Sequence, residues 1–265
     1  VSLPPQMYDP PQGSIAGSWM MAMAVFLCIT FARQSTTRGA VAFLLAAGLM
    51  LVVLLVFTAG RTAYLVLFVL TVLAITSMSR RHASVTVLVL IMGFAVGWQV
   101  SPVMRGRVFE TFESSQDVVP VTSTAIRKEI YRVSIAVGLD RPVFGHGLGS
   151  FSSVYLAKSK AVDIKGAPVS NPHSEYLYLW IELGVVGALM FVAMLMAAWT
   201  RSREMAEIPR LLTRALVLTM AVSCLFNSFL HDASPGRTFV LILAIALASR
   251  RSDDLNNAPT KLSVR

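Results

Sequence analysis

Asn171-Pro172-His173-Ser174-Glu175-Tyr176-Leu177 marks the point where a long polar segment, 102–172, gives way to a long apolar one, 173–199. The change of character predicts a helix that enters a membrane here. Asn171 is a residue type that caps helix N-termini, and Pro172 suits the first helical position, whose N–H has no intrahelical acceptor. His173 then falls in the first helical turn. The positive end of the helix dipole disfavours imidazolium there and leaves a neutral ring able to act as a base. The same N–H groups favour an anion such as phosphate. The plain alternative is a histidine that only tolerates an interfacial position.

Outward from this junction, composition sets the class. Hydrophobic residues make up 55% of the 265-residue chain and charged residues only 14%, and the mean hydropathy is +0.66. The apolar residues come in blocks close to the roughly 20 residues that cross a bilayer as a helix. We read seven such spans, at about 14–32, 39–59, 62–79, 83–101, 173–199, 212–230 and 235–249. The last is short and calls for tilting or local thinning of the bilayer. Trp19, Trp98 and Trp199 lie near span ends, where interfacial aromatics are expected. The predicted class is all-α, a polytopic transmembrane bundle. Four regions follow: 1–101 with four spans, an extramembrane segment 102–172, 173–251 with three spans, and a polar tail 252–265.

The net charge of +9 does not point to nucleic acid, because the arginines cluster at the ends of apolar blocks. Arg33 and Arg38 join spans 1 and 2, and Arg80 and Arg81 join spans 3 and 4. Arg201, Arg203, Arg210 and Arg214 flank the connection of spans 5 and 6, and Arg250 and Arg251 follow span 7. Alternate connections therefore carry the short-loop arginines, and those are predicted to be cytoplasmic. That assigns 1–13, the turn at Gly60-Arg61, the 102–172 segment and the turn at His231–Gly236 to the outer side. Cys28 and Cys224 both fall inside apolar blocks, so no disulfide framework is indicated. The Pro-rich opening, with Val1 rather than Met, resembles an inter-helix loop, and we expect an N-terminal portion to precede it.

Within 102–172, the stretch Thr124 to Leu139 has helical periodicity, with Ile126, Ile130, Val133 and Val137 on one face and Arg127, Tyr131 and Ser134 on a neighbouring stripe. This predicts an amphipathic helix resting on the membrane or capping the bundle. Next comes Pro142-Val143-Phe144-Gly145-His146-Gly147-Leu148-Gly149-Ser150-Phe151. Its glycines lack a flanking βαβ pattern and predict a tight loop rather than a dinucleotide site.

Several residues could carry chemistry. Arg61 interrupts apolar sequence on the side poor in arginine, so it is either a phosphate ligand or a snorkelling ion-pair partner. Arg127 is either a second phosphate ligand or part of a solvated basic face. Glu175 and Glu182 stand seven apart on one helical face, and Glu182, deep in the apolar run, demands a partner. His231 and Asp232 follow span 6; a simple turn accounts for them, as does a carboxylate beside the active face. No Asp-x-Asp, P-loop or zinc-type spacing is visible, so metal- or ATP-driven chemistry has no support in the sequence.

Taken together, these motifs resemble the O-antigen ligase and polymerase family of bacterial envelope proteins. The matching pieces are Thr58-Ala59-Gly60-Arg61, then Arg127 ahead of Arg141–Phe151, then Asn171–Leu177 and Glu182-Leu183-Gly184-Val185-Val186-Gly187. Their order and spacing carry the resemblance over roughly 40–235, in what looks like the C-terminal catalytic portion. Ser174 stands where the family often has Asn, and Gly60 where a Ser commonly precedes the arginine.

The resemblance implies a GT-C-like membrane glycosyltransferase of the bacterial inner membrane, with its site facing the periplasm. The donor it implies is a glycan on undecaprenyl diphosphate, and the acceptor is lipid A-core oligosaccharide or a growing glycan, with no cofactor and no metal. Carried onto this chain, Arg61 and Arg127 would hold the diphosphate, with Asn171 and Glu175 also binding substrate. His173 would be the general base and Asp232 would orient a substrate group. Ligase and polymerase share this chemistry, and a transporter or flippase is the reading from another class.

Overall fold

The computed structural model describes residues 13–57, 61–77, 80–100, 105, 123–161 and 169–248. All regular structure among them is helical, and the chain divides into two compact units, Val1–Ile126 and Arg127–Arg265.

The first unit contains α1 (Gly13–Ala32), α2 (Thr37–Phe57), α3 (Arg61–Thr76) and α4 (Arg80–Val100). α1 packs on α2 and α3, and α4 packs on α2 and α3. The core between them is formed by Trp19, Ala22, Leu54, Val66 and Leu70. Trp19, expected at an interface, is only 1% exposed and belongs to this core; with Ala22 one turn on, its large ring fills space between helices instead of marking a boundary. The Arg33 guanidinium donates to the Ser77 hydroxyl and to the Ser77 carbonyl, at 3.1 and 2.8 Å. The end of α1 and the end of α3 therefore lie together, which brings two arginine-bearing connections to one end of the unit.

In the second unit lie α5 (Ser123–Asp140, from Arg127 onward), α6 (Phe151–Ala161), α7 (Glu175–Arg201), α8 (Glu207–Ser223) and α9 (Ala233–Ala248). α8 packs between α7 and α9, and α6 lies on α7. α5 covers the predicted amphipathic stretch and buries Ile130, Val133 and Val137 of the predicted face, while Ile126 is half-buried. It rests so closely on α7 that a side chain at Gly138 would meet the Trp180 ring at 2.6 Å.

Among the described residues, two segments are long and apolar enough to cross a membrane, Thr37–Leu55 and Glu175–Glu204, and shorter apolar helices lie at Ala16–Ala32, Thr62–Thr76, Ile91–Val100 and Ala233–Ala248. Only 17% of the first long window and 39% of the second is buried. The core helix of a water-soluble protein would be mostly covered. Here Leu45, Leu49, Phe68, Leu189, Met190 and Leu241 face outward, each more than 60% exposed. Apolar surface on this scale needs lipid as its solvent, and the protein is a membrane protein.

One break in α7 shapes everything above it. At Gly184 the backbone adopts φ 69°, ψ −167°, a conformation essentially restricted to glycine. The Arg141–Leu148 loop occupies the gap. The N–H groups of His146 and Gly147 donate to the carbonyls of Ile181 and Glu182 at 2.9 and 2.8 Å, and the Val185 N–H donates to the Pro142 carbonyl at 2.9 Å. Hydrogen bonds that a continuous helix would make internally are thus made to the loop. Side chains cannot be added here. A Cβ at Gly184 would lie 2.0 Å from the Val143 carbonyl oxygen, and one at Gly145 would lie 2.5 Å from the Glu182 carbonyl oxygen. The two glycine motifs, some forty residues apart in sequence, form one interlocked unit.

Candidate active site

The Asn171–Ser174 stretch is a turn and not the start of the helix. α7 begins at Glu175 with extended Ser174 (φ −154°, ψ 122°) at its N-cap position, while His173 takes a left-handed φ of 52°. The residue types expected to start the helix do a different job. The Asn171 side-chain oxygen accepts the His173 N–H at 2.9 Å, an Asx turn that closes on the histidine rather than on the helix. Pro172 is buried beneath it. A left-handed histidine is uncommon and costs on the order of 1–3 kcal/mol, so the surroundings must hold it.

Those surroundings come from α5. The Tyr131 hydroxyl donates to the His173 carbonyl at 3.0 Å and reaches the Leu225 carbonyl at 3.5 Å. Arg127, one helical turn earlier on the same face, reaches the Phe226 carbonyl at 3.5 Å. Burial pushes the Tyr131 phenol above its ordinary range, and the nearby Arg127 charge partly opposes that rise. The phenol is therefore neutral and able to donate. α5 thus brings a guanidinium and the His173 turn to one rim, above the 224–226 turn that follows α8.

Glu175 is completely buried. Its N–H donates to the Cys224 carbonyl at 2.8 Å, and one carboxylate oxygen accepts the Leu230 N–H at 3.1 Å. The other oxygen lies 2.6 Å from His231 Nδ1. This bond holds the His231 imidazole above the usual histidine range despite the opposing effect of burial. Asp232, next along the turn, is half-buried, and desolvation followed by the Glu175 charge raises its carboxyl above the usual range.

Glu182, also buried, finds the partner that its place in an apolar run required. One carboxylate oxygen accepts the Phe151 N–H at 3.3 Å, at the first turn of α6, where unsatisfied N–H groups and the helix dipole both favour an anion. The Gly145, Gly147 and Gly149 loop leads directly into that turn, with φ values of 68°, 103° and 74°.

Of the residues picked from the sequence, Arg127, Asn171, His173, Glu175 and Asp232 all belong to the second unit. Arg61 opens α3 in the first unit, and its side chain lies outside the described residues. His231 was legible only as a turn residue. Its link to Glu175 spans 56 positions and leaves no local trace. The available signal was the buried acid itself, since an ionisable group at the head of an apolar helix requires a partner.

No curated protein matches the chain. The sequence family described as O-antigen ligase matches residues 45–192, more than half of the chain. That stretch takes in Arg61, Arg127, the Arg141–Phe151 loop, the Asn171–Ser174 turn and the Gly184 break. On this match, the protein belongs to the O-antigen ligase family.

Proposed function

We propose that this protein passes a glycan from undecaprenyl diphosphate to a hydroxyl of lipid A-core oligosaccharide at the periplasmic face of the bacterial inner membrane. On this reading the chain crosses the membrane seven times, in the GT-C-like manner that the family resemblance implies. Arg61 and Arg127 bind the diphosphate, as planar guanidinium groups bind phosphate oxygens well. The acceptor oxygen attacks the anomeric carbon, and the glycosyl–phosphate bond breaks. Its electron pair leaves on the diphosphate, where the arginines stabilise the growing charge. His173 takes the proton of the acceptor hydroxyl. Asn171 holds the turn that presents His173, and Asp232 orients a substrate group. The residues named bring no need for a metal or a nucleotide.

The observation that supports this reading is the Tyr131–His173 contact at 3.0 Å, with Arg127 one turn away. It ties the backbone of the proposed base to the helix that carries the proposed anion-binding group. The reading is tested with purified protein in lipid nanodiscs, supplied with lipid-linked glycan and lipid A-core oligosaccharide. Joined product without ATP is the expected result. A longer lipid-linked glycan would instead identify a polymerase, and movement of intact lipid across a bilayer without either product would identify a transporter.

A further inference from the structure

The Glu175–His231 pair has no part in the transfer steps above, yet it is built as a functional group is built. Burying a carboxylate is costly unless it is hydrogen-bonded, and Glu175 is 0% exposed while His231 keeps 38% of its side chain exposed. With the carboxylate accepting, Nδ1 carries the hydrogen, and Nε2 remains for another partner. Among the described residues Nε2 makes no hydrogen bond. The ring is further fixed by the Tyr178 ring at 4.0 Å between centroids, itself stacked on Phe151 at 5.4 Å.

The charges around this ring select its ligand. The buried Glu175 and Glu182 and the half-buried Asp232 all bear on His231, so the negative field at the ring disfavours a diphosphate. A sugar would not be repelled, since hydroxyls pair with imidazole and carboxylate, and sugar C–H faces pack on aromatic rings. In a direct displacement at the anomeric carbon, the incoming hydroxyl lies opposite the leaving diphosphate. The acidic corner therefore suits the acceptor and the Arg127 side suits the donor.

We infer that His231 binds a hydroxyl of the acceptor glycan through Nε2, with Glu175 as its buried positioning residue. The inference rests on the proposed glycan transfer.

Initial rates test it, in nanodiscs, with lipid-linked glycan and lipid A-core oligosaccharide varied in turn. The variants are His231→Gln, whose amide reaches the place of Nε2, and His231→Asn, whose amide reaches only the place of Nδ1. His231→Asn is expected to raise the KM for the acceptor about three- to tenfold, the loss of one hydrogen bond. His231→Gln recovers most of that loss, and the KM for the donor stays unchanged in both. Glu175→Gln gives an intermediate rise. Equal rescue by Asn and Gln would reduce His231 to a structural partner of Glu175 and overturn the inference, as would a rise confined to the donor KM or unchanged constants. Absence of any transfer by the wild-type protein would overturn the underlying reading itself, a result distinct from the others.

Discussion

The Tyr131 hydroxyl is bonded to the His173 carbonyl at 3.0 Å, so a residue on α5 fixes the backbone of a left-handed histidine 42 positions later. The Asn171 side chain gives the turn comparable support from within the loop. Tyr131→Phe removes the bond and leaves the ring in place. One such hydrogen bond contributes about 1 kcal/mol, so transfer is expected to fall about fivefold with little change in the unfolding midpoint. A rate equal to wild type would mean that His173 is held without the Tyr131 bond.

The interlocked glycines predict an unequal response to alanine. Gly184→Ala places a methyl group 2.0 Å from the Val143 carbonyl oxygen, in a conformation that L residues avoid. Gly149→Ala is strained through its φ of 74° but meets nothing within 4 Å. Gly184→Ala should cost about 3 kcal/mol or more, and Gly149→Ala about 1–2 kcal/mol. Thermal unfolding in detergent measures both. Equal midpoints for the two variants would show that the loop does not occupy the α7 break.

His231 sets a direction for pH dependence. Its folded-state pKa is raised, chiefly by the hydrogen bond to Glu175. Its contribution to stability is therefore complete below the unfolded histidine value of about 6.5, and it fades as pH rises through the folded value. The raised Asp232 carboxyl acts with the same sign at lower pH, since the folded state holds that proton more tightly. Stability should thus decline as the medium goes from pH 6 toward alkaline values, and Glu175→Gln should flatten the decline. An unchanged slope in that variant would separate the titration from the pair.

Sidedness can be read at the α7 break. Leu148 is 76% exposed on the loop that fills it, and Cys224 is buried. In a Cys28→Ser background, Leu148→Cys should react with a membrane-impermeant thiol reagent applied from the periplasm. Labelling only from the cytosol would invert the proposed topology and remove the lipid-linked donor from the site.

The parts of this structure that depend on local sequence were legible before the fold was known. α5 could be read because Ile130, Val133 and Val137 repeat at helical spacing and have one face to bury. The Gly145–Gly149 loop could be read because its chemistry permits little else. The start of α7 was misplaced by Asn171 and Pro172, which favour a helix start but serve equally in an Asx turn; the competing bond, from the His173 N–H to Asn171, is decided by packing against Tyr131. Glu182 could be seen to need a partner, and Glu175 only to share its helical face. Phe151 and His231 could not be named, because those contacts exist only after α6 and the 224–232 turn have docked on α7.

The central claim is that His173 takes the acceptor's proton while Arg127 holds the diphosphate, and the rate of the His173→Ala variant tests it most directly. In nanodiscs with both substrates saturating, transfer should fall by about 10²- to 10⁴-fold, the contribution of a positioned base, with the unfolding midpoint preserved. A His173→Ala protein that joins glycan to acceptor at the wild-type rate would contradict the account.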